Sequence, residues 1–348
     1  MTTKTRYFVI ASLLVLGVGL GTGLVAYYVG FPAGAATRAG GPEELQYIPH
    51  DATVIAFANV QDVMGSQLRQ KLLQVLPMHE NGQREFENQT GINIETDIDR
   101  IVACLHPDPS TTNMPGQGMI LARGRFDETK IEALMRDHGA HVEQYSGKRL
   151  VVADMSRDAT IGDDVRHHAG SFALSFVEPG FVAFGSTKLV QASIDLHKGG
   201  NNPQTGLVSV TGNDELMNLV RSLDGGNVWA VGRFDALTSK ARLPETVTSR
   251  LPAITWFAIS GHINGGVRAM IRAEARDEEA ANNLRDVVRG FVGLAKMQSG
   301  SNPGAQLMMQ SLELGGTGKT VALSFTVPVE VFDAVGGALS NGLPKKNH

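Results

Sequence analysis

The chain begins with a long apolar segment near its amino terminus. Residues 7–31 form a run of 25 positions without a charged side chain. A helix of that length extends about 37 Å, enough to cross a hydrocarbon core of about 30 Å. The pattern therefore predicts a transmembrane helix over 7–31. Lys4 and Arg6 precede this run, and only Arg38 is basic in the thirty residues after it. The positive-inside rule then predicts a cytoplasmic stub at 1–6, with the span in the cell inner membrane and the body exported to the periplasm or the cell exterior.

A cleaved signal peptide is the alternative for this segment, because residues 33–35 read Ala-Gly-Ala and cleavage after Ala35 would fit. Cleavable apolar regions usually have about 7–15 residues, so the length favours an uncleaved anchor. Two GxxxG pairs inside the run allow a weak homodimer through close helix contact, although glycine is also common in such helices. The pairs are Gly17 with Gly21 and Gly19 with Gly23.

Beyond the predicted span, residues 32–46 are rich in alanine, glycine and proline, which predicts a flexible linker. The folded body is expected from Tyr47 onward, where short apolar strands alternate with amphipathic helices. A strand is predicted over 53–60, followed by a helix that Ser66 caps and that ends before Pro77. A second strand over 119–126 precedes a helix that Asp127 caps and that ends at Gly139.

Antiparallel hairpins are predicted between these units. Runs at 254–262 and 267–275 flank an Asn-Gly-Gly turn, and the segment 171–185 contains two strand runs around a Glu-Pro-Gly turn. Helices are expected over 187–197 and 277–298. The second helix carries one apolar stripe, formed by Ala281, Leu284, Val288, Phe291 and Ala295. This mixture predicts an α+β fold with antiparallel sheets and helices packed on one face.

A weak internal repeat raises the possibility of two duplicated halves, at 47–200 and 201–348. The segments 54–63, 119–129 and 228–237 are each an apolar strand that ends at an aspartate, and the latter two share Gly-Arg-Phe-Asp. Asp62, Asp127 and Asp235 are the aspartates, and Phe126 and Phe234 the shared aromatic residues. Helix capping alone explains the aspartates, so duplication rests on the two short matches.

Composition excludes several function classes. Thirty-one basic residues against 35 acidic ones give a net charge of -4, so no basic excess exists to bind nucleic acid. Cys104 is the only cysteine, which excludes an intrachain disulfide and a multi-cysteine metal site. It lies in the apolar run 100–105, where we expect a buried, unreactive thiol.

The segment 315–320, Gly-Gly-Thr-Gly-Lys-Thr, superficially resembles a phosphate-binding loop. The full motif requires a glycine six residues before the lysine, where this chain has Glu313. Alternating apolar residues after Lys319 predict a strand rather than the helix that the motif needs. We therefore expect a hairpin turn and no nucleotide binding.

Histidines and acids form small clusters without a recognisable site. His138 and His141 flank the expected helix end, Asp163 and Asp164 precede His167 and His168 in a polar loop, and His262 lies in a hairpin strand. The paired acids Glu278 and Glu279 fit a helix first turn, and Ser186 fits a helix cap rather than a nucleophile. The sequence contains no GxSxG, HExxH or SxxK motif. It predicts no catalytic, cofactor-binding or metal-binding residue and no cofactor.

The opening of the body, residues 47–60, resembles the first strand of bacterial envelope proteins classed as a domain of unknown function. Those proteins also have one amino-terminal span, a small-residue linker and a Pro-x-Asp-Ala opening. The resemblance implies a membrane-anchored extracytoplasmic protein. It leaves three hypotheses: a binding or scaffolding module with an envelope protein partner, a carrier of a lipid or other apolar ligand, and an envelope hydrolase or transferase with dispersed site residues.

Overall fold

The computed structural model describes residues 41–75, 80–106, 118–154, 171–199, 206–223, 225–234, 253–298 and 303–328. The chain divides into two compact units. Of the described residues, the first contains those within 41–61 and 80–222, and the second contains those within 62–75 and 223–328. This division differs from the predicted halves in two ways. The first unit extends to residue 222, and the helix after Ser66 belongs to the second unit.

The described residues form helices and strands in the following bounds. The α-helices are α1 (Val60–Met64), α2 (Gln67–Val75), α3 (Glu80–Thr90), α4 (Ile94–Asp97), α5 (Glu128–Asp137), α6 (Thr187–Gly199), α7 (Asp214–Arg221), α8 (Glu278–Gln298) and α9 (Pro303–Gln310). The strands are β1 (Val54–Asn59), β2 (Ile98–Leu105), β3 (Gly118–Gly124), β4 (His141–Tyr145), β5 (Lys148–Asp154), β6 (Ser171–Glu178), β7 (Phe181–Ser186), β8 (Val228–Arg233), β9 (Ile254–Ile263), β10 (Gly266–Ala275), β11 (Glu313–Gly315) and β12 (Thr320–Pro328). Two 3-10 turns lie at Glu43–Tyr47 and Val210–Gly212.

The first unit is built on antiparallel strands in the order β1-β2-β3-β7-β6-β5-β4. Helix α6 packs on β6 and β7 and also contacts the turn at Glu43–Tyr47. Its buried face consists of Leu189, Val190, Ser193, Ile194 and Leu196. Phe181 and Leu121 are fully or almost fully buried in the strands. The core of this unit therefore lies between the sheet and the helices on it.

The second unit has antiparallel strands in the order β8-β9-β10-β12-β11. The predicted hairpin is confirmed, with Asn264 and Gly265 between β9 and β10. Val267 and Ala269 are buried while Arg268 between them is exposed, so β10 has one packed and one wet face. Helix α8 packs across β10, β11 and β12. Together the two units confirm an α+β fold with antiparallel sheets and helices.

Local capping signals from the sequence are confirmed at two helices. The Ser66 hydroxyl accepts a hydrogen bond from the Arg69 amide at 3.2 Å, and α2 begins at Gln67. The Asp127 carboxylate accepts from the Lys130 amide at 3.0 Å at the start of α5. That helix ends at Asp137, just before Gly139 with its positive φ of 95°. Asp62, in contrast, lies inside α1 rather than at its cap, because that helix begins at Val60.

The folded body begins before the predicted linker end at residue 46. Residues Glu43–Tyr47 already form a 3-10 turn in which Glu44, Leu45 and Tyr47 are buried. The Leu45 and Tyr47 side chains pack into the core, which the alanine- and glycine-rich composition of the preceding linker concealed. No helix of the described residues is long and apolar enough to cross a bilayer. The predicted span at 7–31 and its glycine pairs lie outside the described residues.

Candidate functional site

Helix α8 of the second unit carries most of the candidate binding surface. The Asp277 carboxylate caps it by accepting from the Ala280 amide at 2.8 Å. Along its first half, Ala280, Ala281 and Leu284 are buried in a cluster with Ala275 and Val321, and Val288 packs against that cluster. The first half is therefore an ordinary amphipathic helix with one face on the sheet.

The second half of α8 exposes large apolar side chains. Phe291 is 68%, Leu294 56% and Met297 82% exposed, and Leu307 of the neighbouring helix α9 is 49% exposed. In the described part of the chain only Leu73 is a further large apolar side chain of this kind. We call the four residues on α8 and α9 the apolar surface: Phe291, Leu294, Met297 and Leu307. A concentration of exposed apolar side chains on one pair of packed helices marks an interaction site more often than scattered ones do.

The exposure of Phe291 corrects the predicted apolar stripe of α8. From Val288, both position 291 and position 292 can continue a buried stripe of period 3.6. In the structure Val292, and not Phe291, is on the side of the sheet, where it lines a depression with Leu314 and Leu323. Phe291 lies about 100° away around the helix, so its ring points to solvent.

This depression is a shallow apolar pocket of about 200 Å³. Its lining consists of Arg289, Val292, Gly293, Leu312, Leu314 and Leu323. Pockets that enclose a small-molecule ligand usually have about 300–1,000 Å³, so this one can receive a side chain or the end of an alkyl chain. It opens on the side of α8 that carries Val292, and none of the four residues of the apolar surface lines it.

Charge is distributed unevenly around the apolar surface. Residues 287–328 contain one acid, Glu313, and three basic residues, Arg289, Lys296 and Lys319. The acids of α8 lie in its first half, at Glu278, Glu279 and Asp286. The half of the helix that carries the apolar surface therefore has basic but no acidic neighbours along its own length.

The apolar surface is large enough to contribute measurable binding energy. Complete burial of one large apolar side chain contributes about 1.5–3 kcal/mol. The exposed fractions of its four members, 68%, 56%, 82% and 49%, correspond to between two and three fully buried side chains. Covering the surface would thus contribute about 4–7 kcal/mol before the entropic costs of association.

The turn that resembles a phosphate-binding loop has a structural role beside this surface. Residues 316–319 connect β11 to the antiparallel strand β12, as predicted. Gly316 has a φ of 93°, and an added Cβ would lie 2.3 Å from the Thr320 carbonyl oxygen, so only glycine fits. The Arg285 guanidinium donates to the carbonyl oxygens of Gly318 at 2.8 Å and Thr320 at 2.9 Å. The turn therefore directs carbonyl oxygens at a cation, whereas a phosphate-binding loop directs backbone N–H groups at an anion.

The first unit contains an ion cluster that the sequence did not indicate. Glu44 is 1% exposed, and its Oε1 accepts from Arg100 Nε at 2.6 Å and from Arg123 Nε at 2.8 Å. Arg100 also donates to Glu43 at 2.7 Å, and Arg123 to Glu178 at 3.0 Å. The Arg123 guanidinium lies 4.5 Å from the centroid of the Phe181 ring.

The position of the two arginines explains why Glu44 is buried. Arg100 and Arg123 are directly opposite each other on β2 and β3. Like charges in that position repel, and a carboxylate between them converts the repulsion into two attractions. Tyr47 follows on the same turn with its ring 5.1 Å from Phe181. Burial and then Glu178 raise the pKa of Tyr47. The cluster thus fastens the first turn of the body to the sheet.

An aspartate–histidine pair lies at one end of β1 and β2. His106 Nδ1 is 3.1 Å from Asp51 Oδ1, and the His106 ring is buried. This hydrogen bond, more than any other contact, holds the pKa of Asp51 below its usual value. His106 Nε2 is buried and has no hydrogen-bond partner in the described part of the chain. Aspartate–histidine pairs also occur in hydrolytic triads, but no described hydroxyl or thiol bonds to this imidazole.

Three of the histidines that the sequence singled out are described, and each contacts a different group. His138 Nδ1 contacts the Leu134 carbonyl oxygen at 2.7 Å, while His141 Nε2 contacts Glu143 at 2.9 Å. His262 is exposed opposite Arg268, and partial desolvation together with that cation lowers its pKa to about 4. No group of three or more histidine, cysteine, aspartate or glutamate side chains that could hold a metal occurs among the described residues.

The remaining singled-out residues are accounted for individually. Cys104 is buried as predicted, and burial raises its pKa to about 12. Ser186 is the last residue of β7, directly before α6, and Glu278 and Glu279 begin α8. The loop with Asp163, Asp164, His167 and His168 lies outside the described residues, as does Asp235.

Sequence reasoning missed His106, Asp51, Glu44 and the outward turn of Phe291. One signal was available for the first pair. In an antiparallel pair of strands, the start of one strand lies beside the end of the other. Val54 at the start of β1 is opposite Leu105 at the end of β2, so Asp51 before β1 and His106 after β2 lie at the same end. For Glu44 no such signal exists, because it lies in the turn Glu43–Tyr47 and not at the end of a strand.

Comparisons with known proteins identify no relative of this chain. No family profile matches it, and no curated protein does. Among solved structures, crystal form I of TP0453 aligns with 87% of this chain and 99% of its own, at 8% identity and a TM-score of 0.41. A match at that identity and score supports no conclusion about fold or function.

Proposed function

We propose that the protein is a single-span, membrane-anchored module of the bacterial envelope whose exported body binds an apolar partner and catalyses no reaction. The apolar surface of α8 and α9 is the observation that carries this proposal. Its side chains Phe291, Leu294 and Met297 are more than half exposed on a helix whose other face is well packed. Exposed apolar surface of this kind is retained where a partner covers it.

The predicted anchor at 7–31 makes a modest surface sufficient for binding. A tethered domain meets partners in the same membrane at an effective concentration in the millimolar range for a short flexible linker. Half-occupancy at a millimolar concentration needs a net binding free energy of only about 4 kcal/mol, and the apolar surface contributes to it. The resemblance of residues 47–60 to envelope proteins with one span supports the same arrangement.

Site-specific photocrosslinking in growing cells tests the binding proposal. A photoreactive residue at position 294 should give a reproducible adduct. The same residue at position 283, which is exposed on the polar first half of α8, is the matched control and should give none. Equal labelling at both positions, or none at 294 in several growth conditions, would refute binding through this surface.

Fusion of reporters to the carboxyl terminus tests the anchor separately. A reporter enzyme that is active only outside the cytoplasm should be active when it is fused to this carboxyl terminus, because the positive-inside rule predicts that the body is exported. Activity restricted to a reporter that folds in the cytoplasm would reverse the proposed orientation.

A carrier of a lipid or other apolar ligand is the second candidate. The pocket between α8 and β12 favours it only in part, because a volume of about 200 Å³ holds a fragment of such a ligand rather than a whole one. Native mass spectrometry of the purified full chain would detect a retained ligand.

The hydrolase or transferase hypothesis has the pair of Asp51 and His106 as its one geometric support.

The duplication of two halves also stays a proposal. Its support is the shared Gly-Arg-Phe-Asp, which begins at the last residue of β3 at 124–127 and within β8 at 232–235. The Phe126 ring lies 6.5 Å from that of Phe176 in the first unit. A substitution of Phe126 and one of Phe234 should destabilise their respective units to a similar extent if the two positions are equivalent.

A further inference from the structure

We infer that the apolar surface of α8 and α9 docks on an anionic lipid bilayer, with Phe291, Leu294 and Met297 at the boundary between headgroups and acyl chains. This inference deepens the proposed function and rests on it. It names the partner as lipid rather than protein. Three features of the second unit support that choice.

The first feature is the chemistry of the surface itself. Its members are one aromatic, two leucines and one methionine, and none carries a hydrogen-bonding group. Protein interfaces contain about one hydrogen bond per 100–200 Å² and are usually centred on Trp, Tyr or Arg. Acyl chains need no hydrogen bonds. Residues 291, 294 and 297 cover an arc of about 120° on one side of α8, as in helices that lie in the membrane plane.

The second feature is charge complementarity. The segment 287–328 has three basic residues and one acid within a chain whose net charge is -4. Arg289 and Lys319 are both exposed, Arg289 also donates a hydrogen bond to Asp286 at 2.8 Å, and the acids of α8 are confined to its first half. Basic side chains beside an apolar helix face are attracted to anionic headgroups, which would hold the second half of α8 against the bilayer.

The third feature is proximity to a membrane. The predicted span at 7–31 and the short linker after it keep the body close to a bilayer at all times. Interfacial docking then needs no strong intrinsic affinity, because the tether supplies the effective concentration.

Spin labelling of the full chain in vesicles tests the inference. The background variant Cys104→Ala removes the only native thiol, and Leu294→Cys or Asn283→Cys then supplies one label site each on the same helix. The chain is reconstituted in vesicles of phosphatidylethanolamine with phosphatidylglycerol, and in vesicles of phosphatidylcholine alone. Accessibility of the nitroxide to oxygen and to a water-soluble nickel chelate reports its depth.

We expect the label at 294 to lie about 5–10 Å below the headgroups in the anionic vesicles, as in-plane helices do. Its ratio of oxygen to nickel accessibility should be at least about fivefold that of the label at 283, and lower in the neutral vesicles. Adding Phe291→Glu should return the label at 294 to water. A far-ultraviolet circular dichroism spectrum equal to that of the parent shows that the variant is folded.

Three results would overturn the inference. A water-accessible label at 294 in both kinds of vesicle excludes bilayer docking. A photoreactive residue at 294 that forms protein adducts and no lipid adducts in cells also excludes it, but leaves binding through the apolar surface standing. Absence of both protein and lipid adducts would refute the proposed function as well.

Discussion

Removal of the Glu44 carboxylate should destabilise the first unit more than any change at its neighbour Glu43. Glu44 is 1% exposed, and both arginines donate to its Oε1. The variant Glu44→Ala leaves Arg100 and Arg123 facing each other across β2 and β3 without an anion between them. Two cations in that position repel, and each loses a charge-assisted hydrogen bond.

The magnitude follows from the exposure of the partners. Breaking a fully buried ion pair costs about 3–5 kcal/mol. Here the arginine side chains are 37% and 22% exposed; Arg100 keeps Glu43, and Arg123 keeps Glu178 and, at 3.6 Å, Glu43. We therefore expect a loss of about 2–3 kcal/mol in the free energy of unfolding for Glu44→Ala. Glu43 is 58% exposed, so Glu43→Ala should cost less than about 1 kcal/mol.

Cys104 provides the assay, because it is the only cysteine of the chain and lies on β2, the strand that carries Arg100. Burial raises its pKa to about 12, whereas an unfolded cysteine has a pKa of about 8.5. At pH 8 the unfolded thiol should therefore react roughly a thousandfold faster or more. Brief labelling of the full chain in detergent at increasing urea reports unfolding of the first unit alone.

With a urea slope near 2 kcal/mol/M, Glu44→Ala should lower the midpoint by about 1–1.5 M, and Glu43→Ala by less than about 0.5 M. Glu44→Gln keeps the shape and one acceptor oxygen, so its midpoint should fall between those of the wild type and Glu44→Ala. Equal midpoints for the two alanine variants would refute the reasoning, since they would show that burial between the arginines contributes nothing.

Three further outcomes are expected. Cys104→Val should change the free energy of unfolding by less than about 1.5 kcal/mol, measured by circular dichroism, because the thiol acts as a small apolar group; rapid labelling of the native thiol by a polar reagent would contradict its burial. Calorimetry of the full chain with ATP and magnesium should show no binding, and Lys319→Ala should behave like the wild type; micromolar affinity lost in that variant would reverse our assignment of the turn. Asp51→Asn should lower the melting temperature at pH 7, because the His106 hydrogen bond depresses the pKa of Asp51 and so stabilises the fold above that carboxyl's unfolded pKa. This advantage is lost as the pH falls through the folded pKa, so the two proteins should melt alike near pH 2, and a difference that persists there would exclude titration of Asp51 as its source.

Local features of the fold could be predicted from the sequence because their causes are local. The cap at Asp127 is satisfied by an amide three residues away, and the turn at 264–265 needs only its own asparagine and glycine. The burial of Cys104 follows from the apolar residues on its own strand. The α+β class likewise follows from the alternation of period-two and period-3.6 patterns.

The candidate sites depended on contacts between distant parts of the chain. Arg100 and Arg123 lie 56 and 79 residues from Glu44, and no spacing rule connects them. Only the pairing of β2 with β3 places the two cations together and makes a buried carboxylate favourable between them. The sequence therefore assigned residue 44 to the linker, whose preceding residues are rich in alanine, glycine and proline.

The apolar surface also could not be predicted from the sequence, although the question concerned a single helix. The sequence by itself determined that α8 is amphipathic and that its second half is rich in large apolar residues. Periodicity allowed either Phe291 or Val292 to face the core, since three and four residues are equally good steps on a helix. The tertiary structure decided between them, because Leu314 and Leu323 lie under Val292. Phe291 was thereby left in solvent, and a residue predicted for the core became part of the candidate binding surface.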